Sequence, residues 1–134
     1  MELSPAQRKC LKDLGVVALY LFGSRAQGIA RATSDYDFGV LLDDPSRIRD
    51  GSQELYQQIY EILEGSVKGR VNLDIVFLDR ASLQLRYHVL QYGKVLLDTD
   101  PKRRGAFEEQ ALEEHADFEP FRRLFEATTL ERIA

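Results

Sequence analysis

The chain has 134 residues, about one domain on a prior of roughly 150 residues each, and 44% of them are hydrophobic. Against 22 acidic residues stand 18 basic ones, a formal net charge of −4. That balance excludes a basic protein built for direct nucleic-acid binding and speaks against a polybasic membrane anchor.

The first expected element is a short helix. Ser4 caps it, Pro5 takes its first position, Gln7 completes a capping box and Gly15 ends it. Val16 to Phe22 is a short apolar run bounded by glycines, read as a buried strand. Ser24 and Gln27 form a second capping box, which predicts a helix start after Gly23. Asp35 to Asp43 reads as a second strand. Pro45-Ser46 opens a helix in which Ile48, Leu55, Ile59 and Ile62 recur at helical spacing up to Gly65. Val71 to Asp79 is a third strand, with Asp79 as cap of a helix that carries Leu83, Tyr87 and Leu90 and ends at Gly93. Lys94 to Asp98 is a fourth strand, and from Pro101 the chain reads helical. This order predicts an α/β (α+β) domain over residues 1–134, with a mixed sheet of about four strands flanked by helices. Residues 1–98 form the expected core and 99–134 a helical tail. No run approaches the roughly 20 apolar residues of a membrane span, and the N-terminus has no apolar signal core.

One cysteine, Cys10, and two histidines, His88 and His115, allow no intrachain disulfide, fit a reducing cytoplasm and are too few for a usual zinc set. Acid–base or metal chemistry must therefore come mostly from carboxylates. Most acids, such as Asp43, Asp44, Glu108 and Glu109, lie in turns or on helix surfaces, where acids normally sit. Asp35, Asp37 and Asp74 differ. Side chains at i and i+2 of a strand share a face, so Asp35 and Asp37 project together. Asp74 interrupts an apolar strand. Unpaired, these charges repel and resist burial, so a cation is expected among them, and oxygen-only ligands favour a hard ion, Mg²⁺ or Mn²⁺. Read separately, Asp35 is a turn cap, Asp37 a solvated edge residue, and Asp74 the partner of Arg70 or Lys68. Gly23-Ser24 lies where the first strand ends. There glycine admits a close ligand, and the free N–H groups of a helix start suit phosphate. A Ser24–His88 hydrolase arrangement fails for lack of a Gly-x-Ser-x-Gly elbow, there is no Walker A motif, and Cys10 reads as a small buried apolar residue.

The stretch LFGSRAQGIARATSDYDFGVLL resembles the signature of the polymerase-β-like nucleotidyltransferase superfamily, Gly-Ser, ten residues, Asp-x-Asp, here Gly23, Ser24, Asp35 and Asp37, with Asp74 as the third acid. The short length, Ser-Arg after the glycine, residues 83–93 and the tail resemble its minimal nucleotidyltransferase (MNT) branch. Gln27 departs from the basic residue many relatives carry. The resemblance implies catalysis and metal binding by Asp35, Asp37 and Asp74, two Mg²⁺ ions, ATP as substrate, and nucleotide binding by Gly23, Ser24 and Arg25. It also implies an antitoxin that forms a hetero-oligomer with a HEPN-family ribonuclease toxin and transfers AMP to a tyrosine of that toxin. A catalytic subunit that modifies a small molecule or nucleic acid, and an antitoxin that only binds, are the alternatives. Phe118, Phe121, Leu124 and Phe125 make an apolar stripe in the tail, read as core or as a partner face.

Overall fold

The computed structural model describes residues 1–116 apart from Ala32, Asp50, Lys68 and Arg70. Helix α1 (Pro5–Asp13) opens with the reciprocal cap its sequence announces: Ser4 Oγ accepts from the Gln7 N–H at 3.1 Å, and Gln7 Oε1 accepts from the Ser4 N–H at 2.8 Å. Gly15, at φ 89°, turns the chain into β1 (Val16–Phe22), which is buried along its whole length. Strand β2 (Tyr36–Leu42) returns antiparallel to β1 and sets Asp37 opposite Phe22. A 3₁₀ turn (Pro45–Ile48) and α2 (Gln53–Glu64) cross over to β3 (Leu73–Phe77). Only a crossover of that length can return a parallel strand, and β3 runs parallel to β2 with Asp74 beside Asp37. Helix α3 (Leu83–Tyr92) leads into β4 (Lys94–Asp98), antiparallel to β1, and α4 covers residues 101–116. The result is a mixed four-stranded sheet, β3-β2-β1-β4, with helices on both faces, the class expected from the element order.

Strand alternation divides the core in two. Leu19, Leu21, Phe38, Val40, Ile75 and Phe77 pack on one face with Leu11, Ile59 and Leu63 of α1 and α2. Tyr20, Phe22, Leu41 and Leu78 pack on the other face with Val89 of α3 and Phe107 of α4. Each such side chain, fully buried, contributes about 1.5–3 kcal/mol. The second face has the parity of Asp37 and Asp74, so both acids project on the α3/α4 side of the sheet.

Several elements differ from expectation. The helix expected from Pro45 is two pieces, because Gly51 sits at φ 128° between the 3₁₀ turn and α2. The capping box at Ser24 and Gln27 opens no helix. Ala26 and Gln27 N–H both donate to the Gly23 carbonyl at 3.2 Å, one turn forms, and Gly28 at φ 74° ends it. Helix α3 is capped by Ser82, not Asp79. Asp79 instead accepts from the Leu42 N–H at 3.3 Å and from Arg103 of α4 at 2.9 Å. Cys10 is exposed, on the outer side of α1. The apolar stripe of Phe118, Phe121, Leu124 and Phe125, and the ion pairs of Asp74 with Arg70 or Lys68, lie outside the described residues. Among the described residues no helix is long and apolar enough to cross a membrane.

Candidate active site

Asp37 and Asp74 are neighbours because the β2–β3 register makes them so, and Asp35 lies one residue before β2. Asp35 and Asp74 are exposed and Asp37 is half-buried. The reading of Asp74 as a charge inside an apolar strand is corrected: β3 alternates, with Leu73, Ile75 and Phe77 inward, and Asp74 faces solvent on an edge strand. The three charges act on one another. Burial, then the negative charge of Asp74, then that of Asp35, raise the pKa of Asp37 above its ordinary value.

Gly23 closes the other side of this group. It has φ 75°, in the left-handed region, and a Cβ built on it would run into Asp37 Oδ2. Glycine is required twice over, for its backbone angle and for the space its missing side chain leaves. Ser24 follows at the start of the single turn, whose Ile29 N–H donates to the Ser24 carbonyl at 3.1 Å. A backbone turn of this kind, beside an acidic group, can lie against a phosphate chain whose charge a cation shares.

Arg25 points elsewhere. Its Nε and Nη2 donate to the Ser34 carbonyl at 3.0 and 2.7 Å, and its guanidinium lies 3.9 Å over the Tyr36 ring. Tyr36 packs on the α1/α2 face, opposite in parity to Asp37. Arg25 thus ties the loop before β2 to the turn after β1 and fixes the approach of Asp35. This double anchoring is a role the sequence did not disclose, because it depends on a carbonyl nine residues away and on the ring of Tyr36.

Among the described residues no three His, Cys, Asp or Glu side chains already converge as a metal-ligand group. The donor set nonetheless fits a hard divalent cation. It is all carboxylate, it crowds negative charge at Asp37, and two of its members are exposed.

A model of the family described as polymerase beta, nucleotidyltransferase, matches residues 7–102, a span that contains all of these residues. The chain belongs to the polymerase-β nucleotidyltransferase family. A curated member, protein adenylyltransferase MntA of Aphanizomenon flos-aquae, is 31% identical over 124 residues, 86% of this chain and 76% of that protein. Among solved structures, a toxin–antitoxin with AMP-PNP matches with TM-score 0.68 and 27% identity, covering 91% of this chain and 94% of the other. A complex of a tri-AMPylated Shewanella oneidensis HEPN toxin with its MNT antitoxin matches with TM-score 0.63 and 24% identity over 91% of each chain, a likeness of fold. The resemblance of residues 21–42 to the nucleotidyltransferase signature is thereby borne out at the level of family and fold.

Proposed function

We propose that this nucleotidyltransferase is the antitoxin of a toxin–antitoxin pair and neutralises a HEPN-family ribonuclease toxin by transferring AMP from ATP to one of its tyrosines. The observation that carries the reading is the grouping of Asp35, Asp37 and Asp74 against the Gly23 backbone. The adenylyltransferase name of the curated relative and the AMPylated toxin in a structural neighbour support it.

In the step itself, the tyrosine oxygen attacks the α-phosphorus of ATP. A new O–P bond forms, the α–β phosphoanhydride bond breaks and diphosphate leaves. Asp35, Asp37 and Asp74 would hold Mg²⁺, two ions on the family pattern, which would supply charge stabilisation for the transfer. Asp74 takes the proton of the phenol, whose ordinary pKa is about 10, as the new bond forms. Gly23 and Ser24 hold the β- and γ-phosphates through the turn that follows β1. Arg25 acts by keeping that turn and the Asp35 loop in place. Use of ATP, which is a cytoplasmic substrate, supports a cytoplasmic location.

The test is co-incubation of the chain with the product of its neighbouring gene, Mg²⁺ and ATP labelled at the α-phosphate. Label is expected on a tyrosine of the partner and is expected to vanish with Asp35→Ala and Asp37→Ala. Transfer to a small molecule or nucleic acid instead would overturn the choice of acceptor. Undiminished neutralisation by the double variant would make this a binding-only antitoxin.

A further inference from the structure

Phe22 is the last residue of β1, directly before Gly23, and its ring projects on the same sheet face as Asp37, its partner across the strands. Helix α3 covers that end of the face. Its His88 ring meets Phe22 edge-on, with centroids 6.2 Å apart and planes at 79°. Tyr92, one helical turn on, lies 5.0 Å from His88 and is 44% exposed. Gly93 then seats the end of α3 against β1, where a Cβ would stand 3.4 Å from the Leu21 carbonyl oxygen. Three rings therefore descend from a buried base, Phe22, through His88 to an exposed rim, Tyr92. They begin one residue from the turn that faces the acids.

Resting on the proposed transfer, we infer that His88 and Tyr92 form a stacking shelf for the nucleobase of the donor nucleotide. The polarity of the site favours this occupant over the acceptor ring. Asp74, the base, lies on β3 at one side of Asp37, so the attacking oxygen arrives over β3. Phe22 and Gly23 lie on β1 at the opposite side. With the β- and γ-phosphates at Gly23-Ser24, the nucleoside on the α-phosphate emerges on the face of the sheet that Asp37 and Phe22 share with α3. An exposed tyrosine held in place by a second ring offers a planar apolar surface with little freedom to lose, and the His88 ring nitrogens can meet polar base edges. Stacking alone tolerates any base, so the shelf adds affinity for a nucleoside triphosphate over inorganic triphosphate without selecting adenine by itself.

The test compares binding of Mg–ATP and of Mg–triphosphate by calorimetry in the full chain and in His88→Ala, Tyr92→Ala and Tyr92→Phe, with melting curves to confirm folding. The wild type is expected to bind Mg–ATP about tenfold more tightly than triphosphate. The alanine variants are expected to lose about that factor for ATP and nothing for triphosphate, and Tyr92→Phe to retain it. Equal ATP affinity in wild type and both alanine variants overturns the shelf and leaves the transfer reading standing. Unchanged ATP affinity with slowed transfer to the partner overturns it in favour of an acceptor site. Failure of the wild type to bind either ligand defeats the transfer reading itself and, with it, the shelf. Should His88→Ala fail to fold, the exposed Tyr92 pair decides.

Discussion

The tightest constraint in the molecule falls on a residue with no side chain. Gly23→Ala places a methyl group on the Asp37 carboxylate at a φ that L-residues avoid. It is expected to cost about 1–3 kcal/mol, read by chemical denaturation, and to abolish nucleotide transfer. Asp37 carries the opposite balance. Its folded pKa lies above its unfolded value, so the fold favours the protonated form, and stability declines as pH rises from the unfolded value through the folded one. Asp37→Asn should therefore be more stable than the wild type at pH 7, by at most about 1 kcal/mol after solvent screening, although inactive. The gain should disappear at pH values below the ordinary carboxylate range, where both chains are neutral at this position; melting curves across pH measure it. A wild type more stable than the asparagine variant at neutral pH without metal would contradict the repulsion described. Activity should fall on the acid side as Asp37 takes up its proton.

At the scale of elements, the pin between sheet and helices is Asp79. It joins the end of β3 to the Leu42 amide and to Arg103, while Arg86 of α3 donates to the Leu78 and Asp79 carbonyls, both at 2.9 Å. Asp79→Ala leaves a half-buried guanidinium and an amide without this partner, and about 1–3 kcal/mol of stability should go with it, measured by urea denaturation. Sequence alone could place Asp79 at the strand end but not choose between a local cap and a partner on a helix two dozen residues on. The same limit divides what was legible elsewhere. Strand β1 stood out because an apolar run between Gly15 and Gly23 leaves few readings, and β4 because Gly93 and Pro101 bracket a short apolar run. The Asp-x-Asp spacing disclosed that the charges of Asp35 and Asp37 act on one another, although Asp35 lies one residue before β2 and strand period does not fix its face. The break at Gly51 was lost because apolar spacing continues across it, and the helix expected at Ser24 because a cap promises a first turn and says nothing about a second. The exposure of Asp74 depends on β3 lying at the sheet edge, a matter of strand order. The double anchoring of Arg25 and the rings around Phe22 depend on contacts between separate segments.

For the whole molecule, the sheet divides labour between its faces. The α1/α2 face carries the larger core and no member of the acidic group. The α3/α4 face carries Asp37, Asp74 and Phe22 at one end and, further along, Tyr20, whose hydroxyl donates to Glu108 at 2.7 Å within a network with Arg104 and Asp98. Burial and the Glu108 carboxylate raise the pKa of Tyr20, so it stays neutral and serves the fold. Because the proposed metal and phosphate ligands gather at one end of one face, binding there should stabilise the chain by mass action. Mg²⁺ with a non-hydrolysable ATP analogue is expected to raise the melting temperature by several degrees, and not in Asp35→Ala/Asp37→Ala. No rise in the wild type would count against a preformed donor site.

The position of Asp74 on an outermost strand has a consequence for the choice of acceptor. Two of the three acids are exposed at the rim of the sheet, so among the described residues an incoming hydroxyl meets no walls that could measure the molecule bearing it. A side chain on the surface of a large folded protein can reach such a place as easily as a metabolite can. Discrimination must then come from how the two bodies seat against one another. Substitutions far from the carboxylates should alter which acceptor is used while sparing the speed of the chemical event.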